Sequence, residues 1–189
     1  MLTLQLPEKE MYDEKTSKIT LLPGVVLKME HSLISLSKWE SWYKKPFLKD
    51  DKKTDDELYD YFRAMVIGQD VPIEIIRAMG VNQYRQVINY INDPMTATTF
   101  GADEERKLKQ KRFNSQIFTS ELIYYYMIAY NIPVEFEKWH LNRLLTLIRV
   151  CEIKNEEQSG NGKKMSKREL LKRNAEINAK RRAALNTKG

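Results

Sequence analysis

"TSELIYYYMIAYNIPVEFEKWHLNRLLTLIRVCEIKN", residues Thr119 to Asn155, is the stretch that decides the fold class. Thr119 or Ser120 is placed to cap a helix, because a hydroxyl oxygen there accepts a hydrogen bond from an orphan N–H of the first turn. Apolar and aromatic residues then run on to Tyr130. In the second half, Leu141, Leu144, Leu145, Leu147, Ile148, Val150 and Cys151 cover most of a helical circumference. A helix that is apolar nearly all round is a buried one. Only Asn131-Ile132-Pro133 separates the two segments. This spacing predicts an antiparallel helical hairpin at the centre of the core.

The chain upstream supports a mainly α protein. Ser37 and Glu40 have the spacing of a capping box, and so do Thr54 and Glu57. The first predicts a helix through about Lys45 that stops before Pro46. Its aromatics Trp39, Trp42 and Tyr43 are expected to anchor the core, with Lys38, Ser41, Lys44 and Lys45 wet. The second opens a helix whose Leu58, Tyr61, Phe62 and Met65 share one face. A short helix follows with Pro72 in its first turn, then another carrying Tyr84, Val87, Ile88 and Ile91 and stopped by Pro94. Met95 to Gln116 begins as a loop and becomes a charged insertion. At the N-terminal end, Leu2, Leu4 and Leu6 alternate as in a half-buried strand. Lys18–Leu22 and Val25–Met29 flank Pro23-Gly24 and are predicted to form a β-hairpin. The predicted organisation is a β element over 1–30, a helical domain over 31–154, a flexible linker over 155–165 and a basic helical tail over 166–189.

Charge is placed unevenly. The 189 residues carry 32 Lys and Arg against 26 Asp and Glu, a net of +6. From Lys163 to Gly189 there are ten basic and two acidic residues, so the tail alone is +8 and the remainder is −2. The basic pI therefore describes a tail and not the body. In the tail, Ser166 and Glu169 form a third capping box before a run of good helix formers. Its apolar stripe is thin, and such a helix is marginal until a partner covers it. The residues expected to meet that partner are Lys167, Arg168, Leu170, Leu171, Lys172, Arg173, Ile177, Lys180, Arg181 and Arg182. The tail has no aromatic residue for stacking on bases, so a protein groove is favoured over a nucleic acid. Apolar runs fall short of a membrane span, and the N-terminal residues lack a secretory pattern, so a cytoplasmic setting is expected.

Candidate chemistry is sparse. Cys151 is the single cysteine and is expected to be a small core residue. His31 and His140 lack the paired spacing of a zinc site. His140 reads as a partly buried structural residue rather than a general base, since no partner is placed beside it. Gly162-Lys163-Lys164 lacks both the upstream glycine and the hydroxyl of a phosphate loop. Lys164–Lys167 spells the KMSK loop of class I aminoacyl-tRNA synthetases, but that loop works inside a large nucleotide-binding fold. Tyr124-Tyr125-Tyr126 is expected to face partly into the core, with hydroxyls at the rim. No catalytic residue, metal or cofactor is expected.

"EHSLISLSKWESWYKKPFL", "MTATTF", the Thr119–Asn155 stretch and the basic ending "NAKRRAALNTKG" occur in an order that resembles a group of tailed-bacteriophage proteins. These are small proteins of the tail-morphogenesis region, described as tail assembly chaperones. The resemblance covers residues from about Glu30 to the C-terminus. It implies a non-enzymatic role in which the protein binds the tape measure or other tail proteins in the host cytoplasm. The runner-up is a structural virion protein whose N-terminal strands self-associate through an exposed edge. A third reading is a nucleic-acid-binding accessory protein acting through the tail.

Overall fold

The computed structural model describes residues 1–13, 17–49, 51–100 and 118–158. The chain divides into two compact units, Met1–Arg149 and Val150–Gly189. The first holds every element below except the end of the last helix. The class is mainly α with a small antiparallel β component, as the sequence predicts.

Four short strands, β1 (Leu2–Leu6), β2 (Lys9–Asp13), β3 (Lys18–Leu22) and β4 (Val25–Met29), come first. β1 pairs with β4 and β2 pairs with β3, both antiparallel. Both ladders keep the same register, from Leu2 opposite Met29 to Leu6 opposite Val25 and from Lys9 opposite Leu22 to Asp13 opposite Lys18. The four strands are thus one long ribbon, interrupted where Pro7 faces Gly24 and Glu8 faces Pro23. Proline has no N–H to give a ladder, so the two prolines open a gap in the pairing. The predicted hairpin between β3 and β4 is not formed, because Pro23-Gly24 acts as a break between two collinear strands rather than a turn. Pairing β4 with β1 instead stacks Leu4 on Leu27 and Leu2 on Met29, and Leu4, Leu27 and Met29 are buried. Gly24 suits the break: a Cβ there would lie 3.2 Å from the Glu8 nitrogen.

Helix α1 (Leu33–Tyr43) begins a turn before the predicted start. Its capping box is Ser32 with Ser35: the Ser35 N–H donates to Ser32 Oγ and the Ser32 N–H donates to Ser35 Oγ. The earlier start places Leu33, Leu36 and Trp39 on one buried face. Trp42 is the exception to the predicted anchoring. It precedes Tyr43 by one residue, about 100° round the helix, and is 51% exposed. Trp39 is fully buried, donates to the Glu57 carbonyl at 2.8 Å and stacks on Tyr43.

Helix α2 (Asp55–Met65) has the predicted Thr54–Glu57 capping box and buries Tyr61, Phe62 and Met65. Helices α3 (Ile73–Arg77) and α4 (Val81–Asn92) follow near their predicted places. Helix α5 (Ser120–Ala129) is capped by Thr119 and packs on α1. A 3₁₀ turn (Val134–Lys138) then leads to helix α6 (Leu141–Gln158).

The predicted central hairpin of two long helices is corrected here. Pro133 starts a 3₁₀ turn instead of a long helix, and that turn packs on α1, as does α5. Trp139 stacks on Phe136 at 3.8 Å, and the Arg143 guanidinium lies 4.1 Å over the Trp139 ring, so the connection is itself packed. α6 buries Leu141, Leu144 and Ile148, while Leu145, Leu147, Val150 and Cys151 are half-buried. Its fully buried apolar residues share one stripe rather than the whole circumference, and Cys151 is half-buried rather than a core residue. α6 also runs through Gln158, four residues into the predicted linker. No helix among the described residues is long and apolar enough to cross a membrane.

Glu40 does not close a capping box. It is buried, and its two oxygens accept from the Phe47 N–H at 3.0 Å and from the Ser120 N–H at 2.7 Å. One carboxylate thus ties the end of α1 to the start of α5, where the helix dipole also favours negative charge. Glu40→Gln replaces one acceptor by a donor facing a donor. It is expected to lower unfolding free energy by about 1–3 kcal/mol in urea titrations, and an unchanged midpoint would show that the two bonds are dispensable.

Candidate functional site

The residues Glu30-His31-Ser32 link β4 to α1, and each is buried. They are the nucleus of a polar cluster that gathers groups from distant parts of the chain. The His31 ring nitrogen Nδ1 lies 2.5 Å from the Tyr61 hydroxyl of α2. The His31 and His140 rings meet edge to face at 5.1 Å. His140 Nε2 lies 2.9 Å from the Tyr90 carbonyl oxygen of α4, and the Tyr90 ring packs edge to face on His140 at 4.9 Å. The Tyr90 hydroxyl donates to Glu30 Oε1 at 2.5 Å, and the Met1 amino group pairs with Glu30 Oε2 at 2.8 Å.

The two histidines are far apart in sequence yet in direct contact, at 2% and 6% exposure. His140 is buried more completely than the sequence suggests. It precedes α6 rather than sitting within it, and its carbonyl accepts from the Leu144 N–H. Burial, and then the charge of His140, lower the His31 pKa to about 3. Burial and the Glu30 carboxylate push the Tyr90 hydroxyl upward, and burial does the same to Tyr61. These groups pair with one another inside the core, except that His140 Nδ1 has no hydrogen-bond partner among the described residues. Among the described residues, no three His, Cys, Asp or Glu side chains converge as a metal-ligand set. A cleft of about 210 Å³ lies where the ribbon meets α3 and α4, lined by Leu6, Leu22 and Ile75 with Lys9 at its edge, and no member of the cluster lines it.

A second group lies at the surface. The buried face of α5 is Ile123 and Met127, so the tyrosine run does not supply the core. Tyr124 donates to Glu137 Oε2 at 2.8 Å and is half-buried. Tyr125 is 61% exposed. Tyr126 touches Phe118 at 6.2 Å, Tyr125 at 5.7 Å and Tyr130 at 6.3 Å between ring centroids. Ile128, three residues beyond Tyr125 and on its face of the helix, is 77% exposed. The result is an aromatic and aliphatic surface cluster on one short helix. The sequence flags the tyrosines but not their outward placement, because a run of apolar residues has no polar face to show which side is wet.

The predicted partner-binding residues Lys167 to Arg182 lie outside the described residues. So do most of the linker and residues 101–116 of the predicted insertion. No protein-family model, curated protein or solved structure matches this chain.

The buried His31 has a consequence for acid stability. An imidazole in an unfolded chain titrates near 6.5, whereas in the fold it resists protonation to about 3. Between those values the unfolded chain binds more protons, so stability is full above about pH 6.5 and falls as pH drops toward 3, at up to ~1.4 kcal/mol per unit. On that basis His31 removes roughly 2 kcal/mol at pH 5. His31→Asn, which keeps a polar atom near Nδ1, is expected to flatten the acid side of the stability–pH curve. Identical slopes for the two proteins would clear His31 of this role.

Proposed function

We propose that this protein is a non-enzymatic assembly factor of the tail-morphogenesis kind in a tailed bacteriophage, acting in the host cytoplasm. It binds the tape measure or another tail protein. The observation that carries this reading is the surface cluster on α5. Tyr125 and Ile128 expose apolar area that a solitary protein gains nothing by displaying, and clustered exposed aromatics mark sites where a partner docks. The basic, thinly apolar tail read from the sequence supplies a second arm for the same partner, with charge for approach and Leu170 and Ile177 for burial. The ordered segments that resemble tail assembly chaperones point the same way.

The runner-up, a structural virion protein, draws on the ribbon. Tyr12, Ile19 and Leu21 are more than half exposed on β2 and β3, whose outer edges offer unpaired backbone groups to a neighbour. Mass spectrometry of purified virions separates the two: high copy number supports the structural protein, and absence supports the chaperone.

Binding to tape measure segments, followed by calorimetry, tests the main reading. Tyr125→Ser with Ile128→Ser is expected to weaken binding at least tenfold, since each buried apolar side chain contributes roughly 1.5–3 kcal/mol. The fold should be kept, because both side chains are exposed. Leu170→Ser with Ile177→Ser should weaken binding at constant net charge. If both double variants bind like the parent while Arg181→Ala with Arg182→Ala loses salt-sensitive binding to DNA or RNA, the protein is a nucleic-acid accessory factor instead.

A further inference from the structure

His140 stands in an unusual position for a buried imidazole. Its Nε2 faces the Tyr90 carbonyl oxygen, which can only accept. The proton of the neutral ring therefore sits on Nε2, and Nδ1 is left as a bare acceptor. That Nδ1 is fully buried and has no hydrogen-bond partner among the described residues. An acceptor without a partner is tolerable; a charged ring with an unpartnered N–H is not, because it adds an unsatisfied donor and a buried charge together.

Among the described residues, the groups named here around the ring are engaged elsewhere. From the β4–α1 junction His31 presents a second imidazole at 5.1 Å, itself engaged with Tyr61 of α2. From α4 come the Tyr90 ring and carbonyl, with the Tyr90 hydroxyl committed to Glu30. Glu30, the nearby carboxylate just after β4, is held by that hydroxyl and by the Met1 amino group. On α6 itself, Arg143 is turned onto Trp139.

The same place is a seam between elements. The C-terminal end of α4 is attached to the start of α6 by His140 to the Tyr90 carbonyl, and by the Asn142 side chain to the carbonyls of Ile91 and Asp93 at 2.9 and 2.8 Å. The Leu141 N–H, one residue on, donates to the His31 carbonyl at 2.6 Å. A ring that turns to find a partner for a new Nδ1–H gives up the Tyr90 bond and loosens this seam.

We propose that His140 is a proton-operated latch: its neutral Nε2–H form locks the end of α4 to the start of α6, and a proton on Nδ1 opens that seam while the β1–β4, α1 and α2 core stays folded. The latch is independent of which partner the surface of α5 binds. It places a conformational response where the loop leaving α4 begins.

Hydrogen exchange of the full chain, corrected for intrinsic pH dependence, tests this between about pH 7.5 and about pH 5. Acid lowers protection throughout the body through His31, and the α1 and α2 amides report that shared loss. Amides from Val87 to Asn92 and from Leu141 to Leu144 are expected to lose at least tenfold more protection than those of α1 and α2. His140→Gln keeps a donor near Nε2 and cannot titrate, so its seam should lose no more than α1 and α2 do. A wild-type seam that loses no more than α1 and α2, or a seam that opens equally in His140→Gln, overturns the proposal. Should that variant fail to fold, ring ¹⁵N shifts of wild-type His140 decide. The Nε2–H tautomer at neutral pH, titrating together with the α4 amides, is the expected result. An Nδ1–H tautomer, or titration without movement of those amides, overturns it.

Discussion

Everything else in this fold depends on the backbone crossing at Lys28–His31. The Lys28 carbonyl accepts from the Ile67 N–H at 2.8 Å, and the Glu30 N–H donates to the Met65 carbonyl at 2.9 Å. Met29 bridges Val66 between those two bonds. The chain leaving α2 is thereby laid beside the end of β4 through this isolated bridge. One residue later, the His31 carbonyl accepts from Leu141 at the start of α6. In four residues the ribbon is joined by main-chain hydrogen bonds to the end of α2 and the start of α6, and such bonds cannot be left unmade in a buried place. The N-terminal strands are therefore part of the core rather than an appendage to a helical body.

That crossing explains why so much polar chemistry sits inside. Joining a strand to a helix end in the interior exposes N–H and C=O groups at the junction, and side chains must finish the satisfaction. Ser32 and Ser35 do so for the start of α1, and Glu40 does so for Phe47 and for the start of α5. A buried carboxylate is costly when isolated and stabilising when two N–H groups converge on it. The histidines and tyrosines beside Glu30 extend the same pattern. Residues that look like catalytic material in a sequence are used here to close a junction.

The outer surface is organised on a different rule. The buried faces of α1, α2 and α5 are narrow, so side chains off those stripes remain in water whatever their type. Trp42, Tyr125 and Ile128 are exposed for that geometric reason. A partner that covers the α5 cluster gains apolar burial without disturbing the junction, since Ile123 and Met127 hold the opposite face. Folding thus draws on one face of α5 and leaves Tyr125 and Ile128 on the other in water.

The sequence by itself determined the mainly α class, the Thr54 cap, a cap at Thr119 or Ser120, the apolar face of α2 and the strand character of the N-terminal leucines. Each of these depends on neighbours within a few residues: a hydroxyl near an orphan N–H, or a 3.6- or 2-residue period. Only the tertiary structure decided the rest. Pro23-Gly24 has the chemistry of a turn, but β4 gains more apolar burial against β1, and this choice needs a partner some twenty residues away. Ser37–Glu40 has the spacing of a cap, but Ser32 starts the helix earlier because that buries Leu33 and Leu36 and sends Glu40 to a distant helix end. His31 and His140 carry no spacing signal because what unites them is the meeting of β4 with α6. Local hydrogen bonding and periodicity are written in the chain; the competition between alternative long-range partners is resolved only when all of the buried faces and polar groups are satisfied together.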